Sequence, residues 1–324
     1  MIVGVAVTAA VALVSAQSST NVETLQLRPN FWMIAGAGAN VAVQVGVDGV
    51  VVVDSGTAAT APAILAEIQK ITKQPIRYVI NTSADEDHVG GNQVLSKAGE
   101  TLLGTRVTGL PGGGTSYFGS DILPASILAV EAVLKRMSDA TAQRPAYPAA
   151  AWPTETFEFG RKNMFLNGEG IEVVHQPSAH SDGDSIVFFR KSDVIVAGDI
   201  VDAERFPAID VARGGSIQGE LDALNRLTAL AIPSVPIAAR EEGTLVIPGH
   251  GHVFDQFDVV NYRDMLTIIR DRVRDMIAAG MTLDQVKAAG PAKGYAGRYG
   301  AQTGPNSTNS LIEAIYRSLS KGKL

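Results

Sequence analysis

The chain has 324 residues, of which 46% are hydrophobic, and it carries a formal net charge of −6 at pH 7. This composition is typical of a folded protein rather than a disordered one, and no basic patch or tail indicates a nucleic-acid partner. There is no cysteine, which excludes disulfides, thiolate zinc ligands and a cysteine nucleophile.

Residues 1–16 have the pattern of a signal peptide. The apolar run from Ile2 to Val14 has the length of a signal-peptide core and is short for a membrane span. Val14 and Ala16 are small residues placed as at a cleavage site, although no Lys or Arg precedes the run. We therefore expect a periplasmic or secreted protein with no stable membrane span after leader cleavage. The alternative is an ordinary N-terminal strand or helix, or an uncleaved anchor.

The rest of the chain has the pattern of an α/β protein. Two apolar runs flank Asp48-Gly49, which is a strong hairpin signal. Helical patterns cover residues 61–71, 91–97, 122–137, 217–230 and 259–279. Strand patterns cover residues 77–80, 171–174, 185–189, 194–197 and 244–247. Two groups of strands with helices between them predict a two-layered α/β sandwich.

We assign these elements to one domain over residues 25–280 and a helical C-terminal extension over residues 281–324. Residues 107–155 are rich in Gly and Pro and are interpreted as an insertion or lid. Three aromatic residues there are expected to pack the insertion onto the sheet rather than line a pocket; they are Tyr117, Phe118 and Trp152. The extension shows no chemistry of its own, and the oligomeric state is not indicated.

The five histidines are the strongest functional signal in the sequence. None falls in a long predicted helix, and each lies near a strand end or loop, close to Gly, Asp or Ser. They are His88, His175, His180, His250 and His252. We interpret His175 as structural and His252 as a residue at the rim of a site.

Carboxylates accompany these histidines at places where negative charge is costly. Asp199 ends the apolar run "VIVAGD", and an ionised carboxylate there requires a cation or strong hydrogen-bond donors. Asp85, Glu86 and Asp87 are consecutive, and no Lys or Arg lies between residues 78 and 96. A divalent metal ion would supply the missing positive charge. The alternative is a solvated acidic turn without function.

The order of these motifs resembles that of the metallo-β-lactamase superfamily. The resemblance runs from about residue 25 to at least residue 255 and includes "NTSADEDHVGGN", "AHSDGDSIVFF", "VAGDI" and "PGHGHV". It implies an αββα sandwich of two mixed β-sheets flanked by helices, two adjoining metal sites and a small-molecule substrate. The second of these sites would be formed by Asp87, His88 and His250, with Asp199 shared between both sites.

The first site departs from the family pattern. Ser83 and Asp85 stand where the family has two histidines, and only His180 remains of that set. Asp85, His180 and the shared Asp199 would suit manganese, iron or magnesium at least as well as zinc. We therefore expect one firmly bound zinc at the second site and a first site that is empty or loosely filled.

The resemblance implies a metal-dependent hydrolase that uses a metal-activated water on a lactam, lactone, ester or thioester. Asp87 or Asp85 would act as the base that holds the attacking water. Loss of two imidazoles predicts slow or narrow activity. Two alternatives remain open, a degenerate member that binds metal or ligand without turnover and an iron enzyme that handles oxygen. The sequence does not indicate the substrate.

Overall fold

Two mixed β-sheets form the centre of the computed structural model, which describes residues 22–102, 123–141, 145–234 and 243–320. The first sheet contains β1 (Glu23–Arg28), β2 (Phe31–Ala35), β3 (Val41–Gly46), β4 (Gly49–Val53), β5 (Ile76–Ile80), β6 (Ser126–Val130) and β7 (Glu155–Phe157). The second contains β8 (Arg161–Leu166), β9 (Glu169–Gln176), β10 (Asp184–Phe189), β11 (Val194–Asp202) and β12 (Leu245–His250). The predicted leader, Tyr117 and Phe118 lie outside the described residues.

Both sheets change from antiparallel to parallel pairing towards one edge. In the first sheet β1 to β4 pair antiparallel, and β4 to β7 pair parallel. In the second sheet β8 to β11 pair antiparallel, and β11 pairs parallel with β12. The predicted hairpin at Asp48-Gly49 is confirmed as the β3–β4 turn. The parallel strands β4, β5 and β12 each end at or next to one of the polar motifs.

The two sheets pack face to face and are covered by helices on their outer faces. Alternate residues of each strand form the apolar layer between the sheets, where the rings of Phe31 and Phe189 lie 4.8 Å apart. The first sheet is covered by α1 (Ala61–Ile71) and α3 (Asn92–Ala98), and the short helix α2 spans Glu86–Val89. The second sheet is covered by α5 (Ile217–Leu230) and α6 (Gln256–Ala278). The predicted αββα sandwich of two mixed sheets is confirmed.

One predicted helix is wrong in its first half. The pattern over residues 122–137 predicts a helix, but residues 126–130 form β6, and only Glu131–Ser138 form α4. The sequence of β6, "SILAV", is a short apolar run buried on both faces between β5 and β7. Periodicity does not distinguish such a fully buried strand from a buried helix. The segment interpreted as an insertion therefore supplies a strand of the first sheet.

The C-terminal residues pack against the helices of the second sheet. They form α7 (Leu283–Ala289), α8 (Ala296–Tyr299) and α9 (Thr308–Ser320). A capping box at Thr282 begins α7. Leu311 and Ile315 of α9 are buried in the same apolar cluster as α5 and α6. In the part of the chain that the structure describes, no helix combines the length and apolar character needed to cross a membrane.

Candidate metal centre

The polar motifs meet at one edge of the sandwich because several strands end there. Asp54 follows β4, the loop of residues 81–85 follows β5, and His250 is the last residue of β12. The ends of neighbouring parallel strands share an edge of their sheet. Asp199 lies within β11, beside the end of β12. The loop between β9 and β10 brings His180 to the same place.

His88 is fully buried, and its two ring nitrogens face different groups. Nδ1 lies 2.9 Å from Asp54 Oδ2 and 3.2 Å from Thr82 Oγ1. Nε2 lies 3.1 Å from Asp199 Oδ1, but the alignment is not that of a hydrogen bond, and the atom has no hydrogen-bond partner among the described residues. A buried ring nitrogen without a hydrogen bond requires an explanation.

The predicted residues of the second site come together around this nitrogen. His250 Nε2 lies 3.3 Å from Asp87 Oδ2 and 3.4 Å from Asp199 Oδ1. One ligand atom each from Asp87, His88 and His250 lies within 4.8 Å of the others, which is close enough for one ion to contact all three. Asp199 therefore adjoins both histidines of this group.

The predicted residues of the first site form an adjoining group. Ligand atoms of Asp85, His180 and Asp199 also lie within 4.8 Å of one another. His180 Nε2 is 3.4 Å from Asp85 Oδ2, and its Nδ1 is 3.3 Å from Asp184 Oδ1. Ser83 is buried, and its hydroxyl oxygen accepts a hydrogen bond from the backbone N–H of Asp85 at 3.2 Å.

Asp85 has a cationic partner that the sequence analysis did not identify. Arg213 Nη1 donates to Asp85 Oδ1 at 2.7 Å, although the two residues are 128 positions apart. No Lys or Arg lies between residues 78 and 96, which indicated a metal as the source of positive charge for these acids. The fold also brings a guanidinium to Asp85 from a distant loop.

The carboxylates and histidines shift one another's pKa values in the metal-free protein. Burial acts to lower the pKa of His88, but the Asp199 and Asp54 carboxylates outweigh burial and raise it well above its usual range. Burial also acts to lower the pKa of His180, but Asp184, together with Asp199 and Asp85, outweighs burial and raises it to about 10. Burial would raise the pKa of Asp199, but His88 and His250 hold it well below its usual range.

Two glycines of the "GD" and "PGH" motifs allow the backbone to approach the site closely. Gly198 has φ of +55°, and a Cβ there would lie 2.4 Å from Thr82 Oγ1. A Cβ at Gly249 would lie 2.6 Å from Asp199 Oδ1. Any larger residue would therefore displace either the residue that contacts His88 or the shared carboxylate.

A cavity of about 200 Å³ opens onto both groups. Its lining includes Asp85, Asp87, His180, Asp199 and His250, together with Asp202, Arg205, Pro207, Ala208, Pro305 and Asn306. The last two residues come from the C-terminal extension, for which the sequence predicted no chemistry. The Asn306 side-chain amide donates to the backbone oxygen of Phe206 at 2.7 Å, which fixes this wall of the cavity.

Three residues discussed above do not line the cavity. His175 Nε2 lies 2.8 Å from the backbone oxygen of Asp182, in agreement with a structural role. The ring of His252 packs 5.3 Å from that of Phe254. The Trp152 indole donates to the backbone oxygen of Tyr147 at 2.8 Å and packs in a small apolar cluster, in agreement with the packing interpretation.

Sequence reasoning missed several groups around the centre. Asp54 follows four consecutive valines, so the argument applied to Asp199, a carboxylate at the end of an apolar strand, would have identified it. Glu220 is fully buried in α5 and neither carboxylate oxygen has a hydrogen-bond partner among the described residues. Asp184 lies in the quoted motif four residues after His180 but was given no role, whereas Arg213 and Asn306 are brought here only by the folded loops.

The motif region of the chain also matches a known family. Residues 35–250 match the sequence profile of the metallo-beta-lactamase superfamily. The chain belongs to this superfamily. Both groups of possible metal ligands lie within the matched residues. The sequence resemblance is thereby confirmed at the level of the superfamily.

Solved structures of several superfamily-like enzymes share the fold. A double mutant of the sec-alkyl sulfatase PisA1 is 15% identical with a TM-score of 0.63, covering 91% of this chain and 50% of that one. A metallo-beta-lactamase from Pontibacter korlensis is 16% identical with a TM-score of 0.54, and the match covers 76% of this chain and 99% of that one. The DIM-1 metallo-beta-lactamase is 15% identical with a TM-score of 0.53, and the match covers 76% of this chain and 97% of that one.

The chain thus spans about half the length of the alkylsulfatase structure that it matches. A sequence search among curated proteins finds no match. At these identities the structural likeness shows the fold of the superfamily and not a particular activity.

Proposed function

We propose that this superfamily member is a metal-dependent hydrolase that binds zinc through Asp87, His88, Asp199 and His250. The observation that carries the proposal is the ring of His88. It is fully buried, Asp54 holds its Nδ1, and its Nε2 has no hydrogen bond while it faces Asp199. A nitrogen in this state is suited to donate its lone pair to a cation.

The donor set fits zinc by its chemistry. Two imidazoles and two carboxylates are common zinc ligands, and a site that reacts must keep room for water or substrate. The carboxylate behind His88 also fits, because metal-binding histidines usually donate their other ring N–H to such an acceptor. Asp54 additionally accepts from the N–H and the hydroxyl of Thr82, at 2.8 and 2.7 Å. These bonds fix the orientation of the imidazole before any ion binds.

A bound zinc would polarise the scissile carbonyl and lower the pKa of a water molecule from 15.7 towards about 7. The protein's own contribution is to position the substrate and to hold the water's proton. Asp87 is better placed than Asp85 for the second task. Both oxygens of Asp85 are in ion pairs, Oδ1 with Arg213 and Oδ2 with His180. Among the described charged groups, Asp87 pairs with His250 alone.

We propose that the first site is degenerate. The two histidines that the family uses there are replaced by Ser83 and Asp85, and the Ser83 hydroxyl accepts from its own loop. A neutral hydroxyl is a weak ligand compared with an imidazole. The remaining donors, Asp85, His180 and Asp199, would hold manganese or iron at least as readily as zinc.

The substrate class follows from this chemistry and from the cavity. A water activated beside a Lewis acid attacks lactams, lactones, esters and thioesters, and a cavity of about 200 Å³ suits a small molecule. The panel for an assay should also include an alkyl sulfate, because the match to the sulfatase covers 91% of this chain.

The proposal is tested by metal analysis combined with this panel. Purified protein should retain zinc after dialysis, and one panel substrate should be hydrolysed by the zinc-loaded form but not by the stripped form. His250→Ala should lose both the zinc and the turnover. His252→Ala is the matched control, since this exposed histidine lies two positions away and does not line the cavity. Wild-type protein that binds no zinc would refute the proposal.

A degenerate member that binds metal without turnover is the second candidate. It is favoured by one observation, the ion pair between Arg213 and Asp85 at the place of the first site. The same experiment separates the two candidate functions, because a member without turnover should retain zinc but hydrolyse no substrate in the panel.

A further inference from the structure

The ion pair between Arg213 and Asp85 lies at the first metal group. Asp85 Oδ1 accepts from Arg213 Nη1 at 2.7 Å, while Oδ2 of the same carboxylate lies 3.4 Å from His180 Nε2. One oxygen of this predicted metal ligand is thus engaged by a guanidinium. Geometry alone would allow an ion between Asp85, His180 and Asp199, so the charge of Arg213 is the deciding feature.

The Arg213 side chain is held in place by a second carboxylate. Arg213 ends a short 3-10 turn over Val211–Arg213, and the Asp210 side chain caps this turn by accepting from the backbone N–H groups of Ala212 and Arg213. The other oxygen of Asp210 lies 3.2 Å from Arg213 Nε. The guanidinium therefore bridges Asp210 and Asp85 and is fixed at both ends.

The backbone at Arg213 is docked against the loop that carries His180. The Arg213 carbonyl accepts from the backbone N–H of Asp182 and from Arg136 Nη2, both at 2.9 Å. Arg136 also forms an ion pair with Asp182. The backbone N–H of Asp210 in turn donates to the His180 carbonyl at 2.8 Å. These contacts tie the position of the guanidinium to the position of the first group.

We infer that the Arg213 guanidinium takes the place of the first metal ion, so that the protein binds one divalent cation per chain. This inference rests on the proposed zinc site at Asp87, His88, Asp199 and His250. A guanidinium stays charged at every pH the protein meets. It neutralises Asp85 without a metal and repels a divalent ion placed beside it. The first group is thus an internal ion pair rather than a second metal site.

The experiment is a calorimetric titration of metal-stripped, full-length protein with zinc chloride. Metal analysis of the dialysed protein gives a second measure of the bound zinc. Wild-type protein should bind one equivalent tightly. Arg213→Gln should bind the first equivalent as before and a second at least about tenfold more tightly than wild type does. Arg213→Lys, which keeps the charge, should behave like wild type. Arg190→Gln is the control, because Arg190 is an exposed arginine paired with Glu172 outside the site.

Thermal unfolding of each variant shows that it is folded before its titration is interpreted. Two equivalents of similar affinity in wild type would overturn the inference while leaving the zinc site intact. A second equivalent unaffected by Arg213→Gln would overturn it as well. If no protein in the series binds zinc, the proposed function fails, and this inference fails with it.

Discussion

Asp54 accepts a hydrogen bond from His88 Nδ1 at 2.9 Å, and both residues are fully buried. Since a carboxylate only accepts, the ring proton lies on Nδ1 whenever His88 is neutral, which leaves Nε2 with a lone pair. Asp54 itself has φ of +62°, a left-handed conformation that is uncommon for a residue other than glycine. The fold thus maintains an unfavourable backbone angle at the residue that orients the proposed zinc ligand.

Asp54→Asn should weaken zinc binding by roughly 10- to 100-fold, the usual effect of losing an acceptor behind a metal-binding histidine. The amide keeps the size of the carboxylate but loses its charge. Competition with a chromophoric chelator measures the affinity. Asp48→Asn is the control, because Asp48 is a carboxylate of an exposed turn that accepts from the Asn167 backbone. Equal zinc affinity in both variants and wild type would show that Asp54 has no part in holding the metal.

The pH dependence of zinc binding follows from the histidine ligands. The pKa values of His88 and His250 are both raised: burial opposes this, and the carboxylate of Asp199 is the largest of the influences that outweigh it. Zinc binds only the deprotonated rings, so it must displace these protons. Zinc affinity should therefore rise with pH by up to about tenfold per pH unit for each proton released. Calorimetry in buffers of different ionisation enthalpy counts the protons, and a result of zero would contradict the prediction.

The stability of the metal-free protein should change with pH in the opposite direction. His180 has its pKa raised to about 10 from 6.5, so it contributes stability that is complete below pH 6.5. This stability is lost as the pH rises towards about 10, because the folded state binds the extra proton. The melting temperature in the presence of a chelator should therefore fall over this range. In His180→Gln the melting temperature should fall less steeply with pH. An identical slope in this variant and in wild type would show that other groups cause the fall.

Glu220 should limit the stability of the protein above neutral pH. Burial raises its pKa well above the usual range, and its oxygens have no hydrogen-bond partner among the described residues. A raised carboxyl pKa costs stability that grows as the pH rises above 4.5, because the unfolded chain ionises freely. Glu220→Met should therefore be more stable than wild type at pH 8, by about 1–3 kcal/mol. Denaturant unfolding at two pH values tests this.

The pH dependence separates this effect from general packing. The advantage of Glu220→Met should shrink at pH 4, below the ordinary pKa of 4.5, where the carboxyl is protonated in the folded state and largely protonated in the unfolded chain. Glu220→Gln keeps the size and polarity of the side chain but cannot ionise. It should therefore remove only the pH-dependent part of the stability cost. A methionine variant less stable than wild type at both pH values would indicate that the carboxyl has a partner in solution.

Asn306 should affect substrate binding rather than metal binding. Its amide donates to the Phe206 carbonyl at 2.7 Å, and the residue lines the cavity but belongs to neither group of possible metal ligands. This hydrogen bond stabilises the wall of the cavity by about 1 kcal/mol, so Asn306→Ala should raise KM by at most roughly fivefold. Zinc content should be unchanged. Asn309→Ala is the control, because Asn309 is an exposed residue of α9. If Asn306→Ala has the KM of wild type, the C-terminal extension does not contribute to substrate binding.

The element pattern and the ligand types were readable from sequence because both are local properties. Alternating and continuous apolar runs identified most strands, and the helices at 61–71 and 217–230 agree with the structure to the residue. The acids and histidines at strand ends were found because charge is costly beside apolar strands. β6 was missed, because a buried five-residue run has no periodicity that separates strand from helix.

The sequence by itself determined which residues adjoin the strand ends, since each lies within a few positions of its strand. Only the tertiary structure decided which charges meet. Arg213 reaches Asp85 across 128 positions, and Asn306 reaches the Phe206 carbonyl across 100. Neither pairing leaves a local pattern, because an ion pair or a hydrogen bond depends on the distance between its two groups in space and not on their separation along the chain.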